Sequence, residues 1–365
     1  MIIDAHGHVS APAELYAYKS TLLSSRGSHG RGGVKLSDDQ LRVAMEEVAF
    51  GPFSHMKYLD KIGTDMQAIS PRPFQMMHSE KPFKIVEWFN EEVNNIIYRH
   101  TQMWPGRFYG VGGIPQGGGE PVTAAVKELE RCIKQLGFKG ILLNPDPYEN
   151  NGKESPPMGD RYWYPLYEKL CELDVVAHIH NTGSLRQREP YTLQFINEET
   201  TCIYGLLNSK VFDDFPTLKI MVSHGGGAMP YQLGRFEAGT IRLGAKDPKQ
   251  LFSEKMKKLY YDTVLYTQDA IELLVKTVGV DRCIFGAECP GTGSQVHPKT
   301  GKPLDDVAPL VKNISFLNDE QKEDILWRNA VKLFKLDVDA MKKAKPQNTE
   351  SMPTGNKAAG GGGGH

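Results

Sequence analysis

The chain opens on Ile2-Ile3-Asp4-Ala5-His6-Gly7-His8, a short apolar run that closes in a His-x-His pair. Side chains two apart on a strand point to one face, so His6 and His8 are placed to grip a single divalent metal. Alone, such a pair reads equally well as two surface histidines. Three further apolar runs end the same way: Ala177-His178-Ile179-His180, Val222-Ser223-His224-Gly225-Gly226-Gly227 and Phe285-Gly286-Ala287-Glu288. Each puts a metal-ligating or proton-transferring side chain where a strand stops. The spacing predicts a metalloenzyme.

Strand-like runs alternate with amphipathic helical patterns along nearly the whole chain, as in parallel β/α architecture. The predicted strands are 1–9, 62–70, 107–114, 138–144, 175–180, 218–223, 259–264 and 282–287. Eight of them point to an α/β fold, a closed (β/α)8, TIM-like barrel with a long insertion after strand one. Helices are predicted over 84–97, 120–136, 163–173, 229–243 and 269–278. In 120–136 the positions Val122, Ala125, Val126, Leu129, Cys132, Ile133 and Leu136 recur at spacings of three and four, and Gly137 ends the pattern.

The barrel is expected to occupy residues 1–338. Its insertion, 10–61, carries the Gly- and Arg-rich patch Arg26-Gly27-Ser28-His29-Gly30-Arg31-Gly32-Gly33 and a helix opened by a capping box at Ser37 and Gln40. A connection of that length in a compact barrel is expected to be a lid or a substrate-binding element. A second insertion, 291–317, follows strand eight. Residues 339–365 turn to Lys, Asn, Ser, Pro and Gly and are expected to form a disordered tail, which removes His365 as a ligand.

The 365 residues can bury a sizeable core. A formal charge of −1 argues against a bulk electrostatic partner such as nucleic acid or an anionic membrane. No stretch approaches the ~20 apolar residues of a membrane span, and a cleaved leader would carry the histidine pair away with it. The five cysteines, Cys132, Cys171, Cys202, Cys283 and Cys289, are widely spaced and form no Cys-x-x-Cys pair. That argues against a disulfide scaffold or a structural zinc cluster. A cytoplasmic protein is expected, assembled as a homodimer.

Catalytic groups of such barrels sit at the C-terminal strand ends. Beside the opening Ile-Asp-Ala-His-Gly-His stand Gly137-Phe138-Lys139-Gly140-Ile141, the histidines ending strand five, Ser223-His224-Gly225-Gly226-Gly227 and the closing Asn329-Ala330-Val331-Lys332-Leu333-Phe334. On these motifs the chain resembles the amidohydrolase superfamily, in the branch that holds aminocarboxymuconate-semialdehyde decarboxylase. Most members end strand eight in an Asp. Here Glu288 stands instead, its carboxylate displaced outward by about one C–C bond, ~1.5 Å. Glu288-Cys289-Pro290-Gly291 is similar to the 4-oxalomesaconate hydratases, which add water to an unsaturated tricarboxylate in protocatechuate 4,5-cleavage and gallate catabolism. The resemblance implies a hydro-lyase. The competing expectation is a metal-dependent decarboxylase or hydrolase of an aromatic or muconate-type acid, against which Glu288 argues.

Imidazole and carboxylate donors suit Zn²⁺, with Mn²⁺ as the alternative. The expected ligands are His6, His8 and His178, with Glu288 either closing the shell or accepting a hydrogen bond from bound water. Glu288 is then the natural base, and His224 and His180 are candidates to polarise a carbonyl or deliver a proton to carbon. A tricarboxylate demands cations, since unpaired buried carboxylates are costly. Arg72 just past strand two is the best placed, followed by Arg186 and Arg188 after strand five and Arg26 or Arg31 from the insertion. His78 and Asn144 are further polar candidates, and Arg235 is either a substrate clamp or a helix-surface ion pair.

Overall fold

All eight predicted strands form, each within its predicted range and shorter: Ile3–Asp4, Met66–Ile69, Phe108–Gly113, Gly140–Leu143, Val176–Ile179, Lys219–Val222, Tyr260–Asp262 and Cys283–Ile284. The structure, a computed structural model, describes residues 1–50 and 53–352. Each barrel strand pairs in parallel with its neighbour in the chain, from the first to the eighth. The first and eighth meet where the Ala5 N–H donates to the Phe285 carbonyl at 2.9 Å. The sheet thus curls into the TIM-like barrel with helices outside it.

Alternation along the strands sorts side chains between two cores. Ile3, Met66, Ala68, Tyr109, Val111, Leu142, Val176, Met221 and Ile284 form an inner cluster, closed below by Ala330, Leu333 and Phe334 of the last barrel helix. Ile69, Phe108, Ile141, Leu143, Ala177, Ile179, Ile220 and Val222 face the surrounding helices. With Val176 inside and Ala177 and Ile179 outside, period two sends His178 and His180 inward at successive levels.

Strand one is far shorter than the expected 1–9. Ala5 lies in a bend, and Asp4 Oδ1 accepts the His6 N–H at 3.0 Å, a local turn that replaces the ladder. Pairing resumes only at the isolated bridge between His8 and Ser70.

The insertion is largely helical, with helices at Ala13–Ser25, Asp38–Glu46 and His55–Ile62 and a hairpin of Ala49–Phe50 with Phe53–Ser54. The Ser37–Gln40 capping box forms as predicted. Arg31 bonds Glu91 at 2.7 Å and Glu92 at 3.1 Å on helix Phe83–Met103, and Arg26 pairs with Glu80. These two arginines fasten the insertion to the residues around helix Phe83–Met103.

The expectation of a disordered tail from residue 339 is corrected as far as residue 352; residues 353–365 lie outside the described part. Val338–Lys343 is a helix, and Thr349 is fully buried. The Thr349 N–H donates to Asp38 Oδ2 and Arg99 Nε donates to Thr349 Oγ1, each at 2.8 Å. Arg99 also bonds Asp38 at 2.8 Å and the Leu36 carbonyl at 3.0 Å. A polar composition hid this strap, because its burial comes from one threonine joining an ion pair. Thr349→Val should lower unfolding free energy by about 1–3 kcal/mol by leaving buried polar partners short of a bond. An unchanged denaturant midpoint would show that the strap does not hold the insertion.

Candidate metal centre and active site

His6 and His8 follow strand one, His180 follows strand five and Glu288 follows strand eight, so four rim positions converge. Their ligand atoms lie within 4.8 Å of one another and all four side chains are buried. Each imidazole is oriented through Nδ1: His6 to Asp262 Oδ2 at 2.7 Å, His8 to the Pro71 carbonyl at 3.0 Å and Ser70 Oγ at 2.8 Å, His180 to the Asn181 carbonyl at 2.7 Å. A carbonyl only accepts, so Nδ1 of His8 and His180 carries the proton and Nε2 presents its lone pair. The Nε2 atoms of His6, His8 and His180 are buried without a hydrogen-bond partner among the described residues. Three converging imidazole lone pairs beside a carboxylate fit a divalent metal, with outer partners of the kind that orient ligating histidines.

Glu288 faces two ways. Its Oε1 lies 3.5 Å from His8 Nε2 and 4.0 Å from His180 Nε2. Its Oε2 lies 3.7 Å from His224 Nε2 and accepts from the Tyr266 hydroxyl at 3.1 Å. Glu288 and His224 hold positive φ values of 55° and 50°, unfavourable for residues with a Cβ and common where a rim aims a functional group.

His178 sits one level deeper. Its Nε2 is hydrogen-bonded to Ser223 Oγ at 2.9 Å and lies 3.6 Å from Asp262 Oδ2. His6, His178 and Asp262 also lie within 4.8 Å of one another, but the facing atoms already bond each other or Ser223. The structure therefore brings His180, rather than the expected His178, to the cluster of open nitrogens. Both share one parity on strand five, so period two cannot tell them apart.

Burial opposes the charged form of His224, but the Glu199 carboxylate overrides it and holds the imidazole well above the usual histidine range. Both Glu199 oxygens lie 2.9 Å from His224 Nδ1. Burial likewise opposes charge on His6, and Asp262 pushes it the other way, upward. Burial holds His8 and His180 below the usual range, hence neutral. Burial would raise the Glu288 carboxyl, yet His180, His224 and His8 hold it well below the ordinary carboxylate value. The site thus sets His224, its pKa raised by Glu199, beside Glu288, its pKa lowered by the histidines around it.

Arg72 is 8% exposed, and its charge is felt by Glu288 and by Tyr191 and Tyr16 around the mouth. His78 and Asn144 are held within the scaffold: His78 lies 3.2 Å from the Ile114 carbonyl, and Asn144 Nδ2 bonds His78 Nδ1, the Asp146 carbonyl and Thr182 Oγ1 at 3.0, 2.9 and 2.7 Å. Arg186, Arg188 and Arg235 are exposed. Sequence reasoning missed Asp262, Glu199 and Tyr266. Asp262 lies within the predicted strand 259–264 and ends the observed one, so it could have been singled out as a carboxylate on the rim. Glu199 lies on helix Tyr191–Leu207, which was not predicted because its Thr-rich sequence carries weak helical propensity.

The C-terminal rim of this α/β barrel gathers three imidazoles and a carboxylate that could hold a divalent cation. Residues 3–336 match the amidohydrolase family. The chain is 33% identical over 350 residues to the 2-keto-4-carboxy-3-hexenedioate hydratase of Sphingobium sp., covering 94% of this chain and 99% of that protein. It matches the crystal structure of 4-oxalomesaconate hydratase from Rhodopseudomonas palustris at a TM-score of 0.81 and 32% identity, covering 94% of this chain and 98% of the other. It is 25% identical over 304 residues to 2-amino-3-carboxymuconate-6-semialdehyde decarboxylase of Dictyostelium discoideum, covering 78% of this chain and 77% of that one. The chain belongs to the amidohydrolase family.

His180→Ala should remove most bound metal, whereas His178→Ala should keep it, as read by elemental analysis with circular dichroism as the check on folding. The reverse result would return His178 to the ligand set. Because protons compete for the same nitrogens, most strongly at His6 with its raised pKa, metal retention should fall as pH falls.

Proposed function

We propose that this protein is a metal-dependent hydratase that adds water across the C=C bond of an unsaturated oxo-tricarboxylate of the 4-oxalomesaconate type. The observation that carries this is Glu288, which ends strand eight with one oxygen toward His8 and His180 and the other toward His224. Full-length likeness to two named hydratases supports the same reaction.

Nε2 of His6, His8 and His180 and Oε1 of Glu288 would hold the metal, zinc in this proposal, with His178 supporting them from below. When bound, the ion lowers the pKa of water and polarises a substrate oxygen. Glu288 takes the proton of the attacking water at Oε2 as oxygen bonds to one alkene carbon. His224, kept charged by Glu199, stabilises the enolate and delivers a proton to the neighbouring carbon. Proton return across the 3.7 Å between Glu288 Oε2 and His224 Nε2 restores both groups. One water is consumed, the alkene π bond is replaced by one C–O and one C–H bond, and no carbon–carbon σ bond is cleaved. Arg72 pairs with a substrate carboxylate, its planar fork matching the anion. A cytoplasmic location, supported by five cysteines that are all free, and a homodimer, which light scattering checks, complete the proposal. No helix among the described residues is long and apolar enough to cross a membrane.

Turnover on 4-oxalomesaconate should abolish the ultraviolet absorbance of the conjugated system without releasing CO₂; release of CO₂ would make the protein a decarboxylase. Glu288→Gln should lower kcat by ~10²–10⁴ while substrate still binds. Glu288→Asp should retain metal and lose most hydration, since the shorter carboxylate draws back from substrate. Arg72→Met should lower kcat/KM by about 10- to 1,000-fold with metal content unchanged; unaltered kinetics would remove Arg72 from the site.

A further inference from the structure

Behind the metal cluster, between strand two and helix His55–Ile62, lies a buried polar chain that the proposed reaction does not use. Its centre is Gln67, fully buried like its partners Asp4 and His55. The Gln67 side-chain Nε2 donates to Asp4 Oδ2 at 2.8 Å and to the Cys289 carbonyl at 2.5 Å. Its Oε1 faces His55 Nε2 at 2.7 Å, and His55 Nδ1 faces Ser10 Oγ at 2.9 Å. Both amide hydrogens and the amide oxygen are engaged, so the group has one satisfied orientation. Asp4 Oδ1 in turn accepts the N–H groups of His6 and Ala287, each at 3.0 Å.

These bonds reach both sides of the metal cluster. On one side the chain holds the backbone of His6. On the other it holds the residues immediately before and after Glu288. The middle residue of the His-x-His pair packs on the same amide: a Cβ at Gly7 would lie 2.4 Å from Gln67 Cδ and 2.6 Å from the Ala68 carbonyl, so only glycine lets the histidines lie this close.

We propose that Gln67 is the positioning residue of the metal centre, its amide setting the spacing between the His6–His8 pair and Glu288 by holding Asp4 and the Cys289 carbonyl together. The inference rests on the metal-binding role proposed for His6, His8, His180 and Glu288. Outer partners of metal ligands typically change affinity by ~10–100-fold when removed, and Gln67 acts on two ligands at once.

Gln67→Met keeps the length of the side chain and removes all three hydrogen bonds. Zinc affinity, measured by competition with a chromogenic chelator, should weaken by about 10- to 100-fold. At saturating zinc kcat should fall while KM changes little, because the substrate cation Arg72 is untouched. Wild-type zinc affinity and kcat in a folded Gln67→Met protein would overturn the inference. Failure of the wild-type chain to bind zinc would instead overturn the metal-site proposal on which it rests. Should Gln67→Met not fold, His55→Leu, which frees the Gln67 amide oxygen and Ser10 Oγ but leaves both amide N–H bonds, should still weaken zinc binding several-fold, and unchanged affinity there would also overturn it.

Discussion

Three buried imidazole nitrogens, the Nε2 atoms of His6, His8 and His180, meet at the barrel mouth with no hydrogen-bond partner among the described residues, and the arrangement of the rim depends on them. An unsatisfied buried polar atom costs about 1–3 kcal/mol, so three in one place are tolerable only where something else binds them. The chain commits the other nitrogen of each ring to a fixed acceptor, which removes rotational and tautomeric freedom before any ligand arrives. Pre-orientation of that kind is what separates a metal centre from a cluster of buried histidines.

Charge is distributed over the same few atoms by distant partners. Asp262 stands under His6 and Glu199 under His224, while His8 and His180 rest against neutral carbonyls. What lies behind each ring therefore tunes it: a carboxylate raises His6 and His224, while burial keeps His8 and His180 low. Glu288 joins the two halves by offering one oxygen to each. The added methylene that distinguishes it from aspartate is what lets a single carboxylate span the gap.

The insertion after strand one is secured at several points far from the mouth. Arg31 ties it to helix Phe83–Met103 through Glu91 and Glu92, and Thr349 ties it to Arg99 through Asp38. The insertion and Thr349 thus meet over one helix, which carries Glu91, Glu92 and Arg99.

The eight strands and the shared parity of His178 and His180 were legible in the chain, because strand period and apolar runs are local properties. So was the capping box at Ser37. The choice between His178 and His180 was not, since both point inward and only their depth, and Ser223 beside the lower ring, distinguishes them. Nor were Glu199 or the Gln67 amide readable as parts of the site: each acts through a partner 25 or more residues away, and such pairs exist only once the strands are closed into a barrel. The arginines divide the same way. Sequence marked them as candidate substrate cations, Arg235 alternatively as a helix-surface ion pair, but burial, ion pairing and exposure are tertiary properties: Arg72 is buried, Arg26 and Arg31 pair with Glu80, Glu91 and Glu92, and Arg186, Arg188 and Arg235 are exposed.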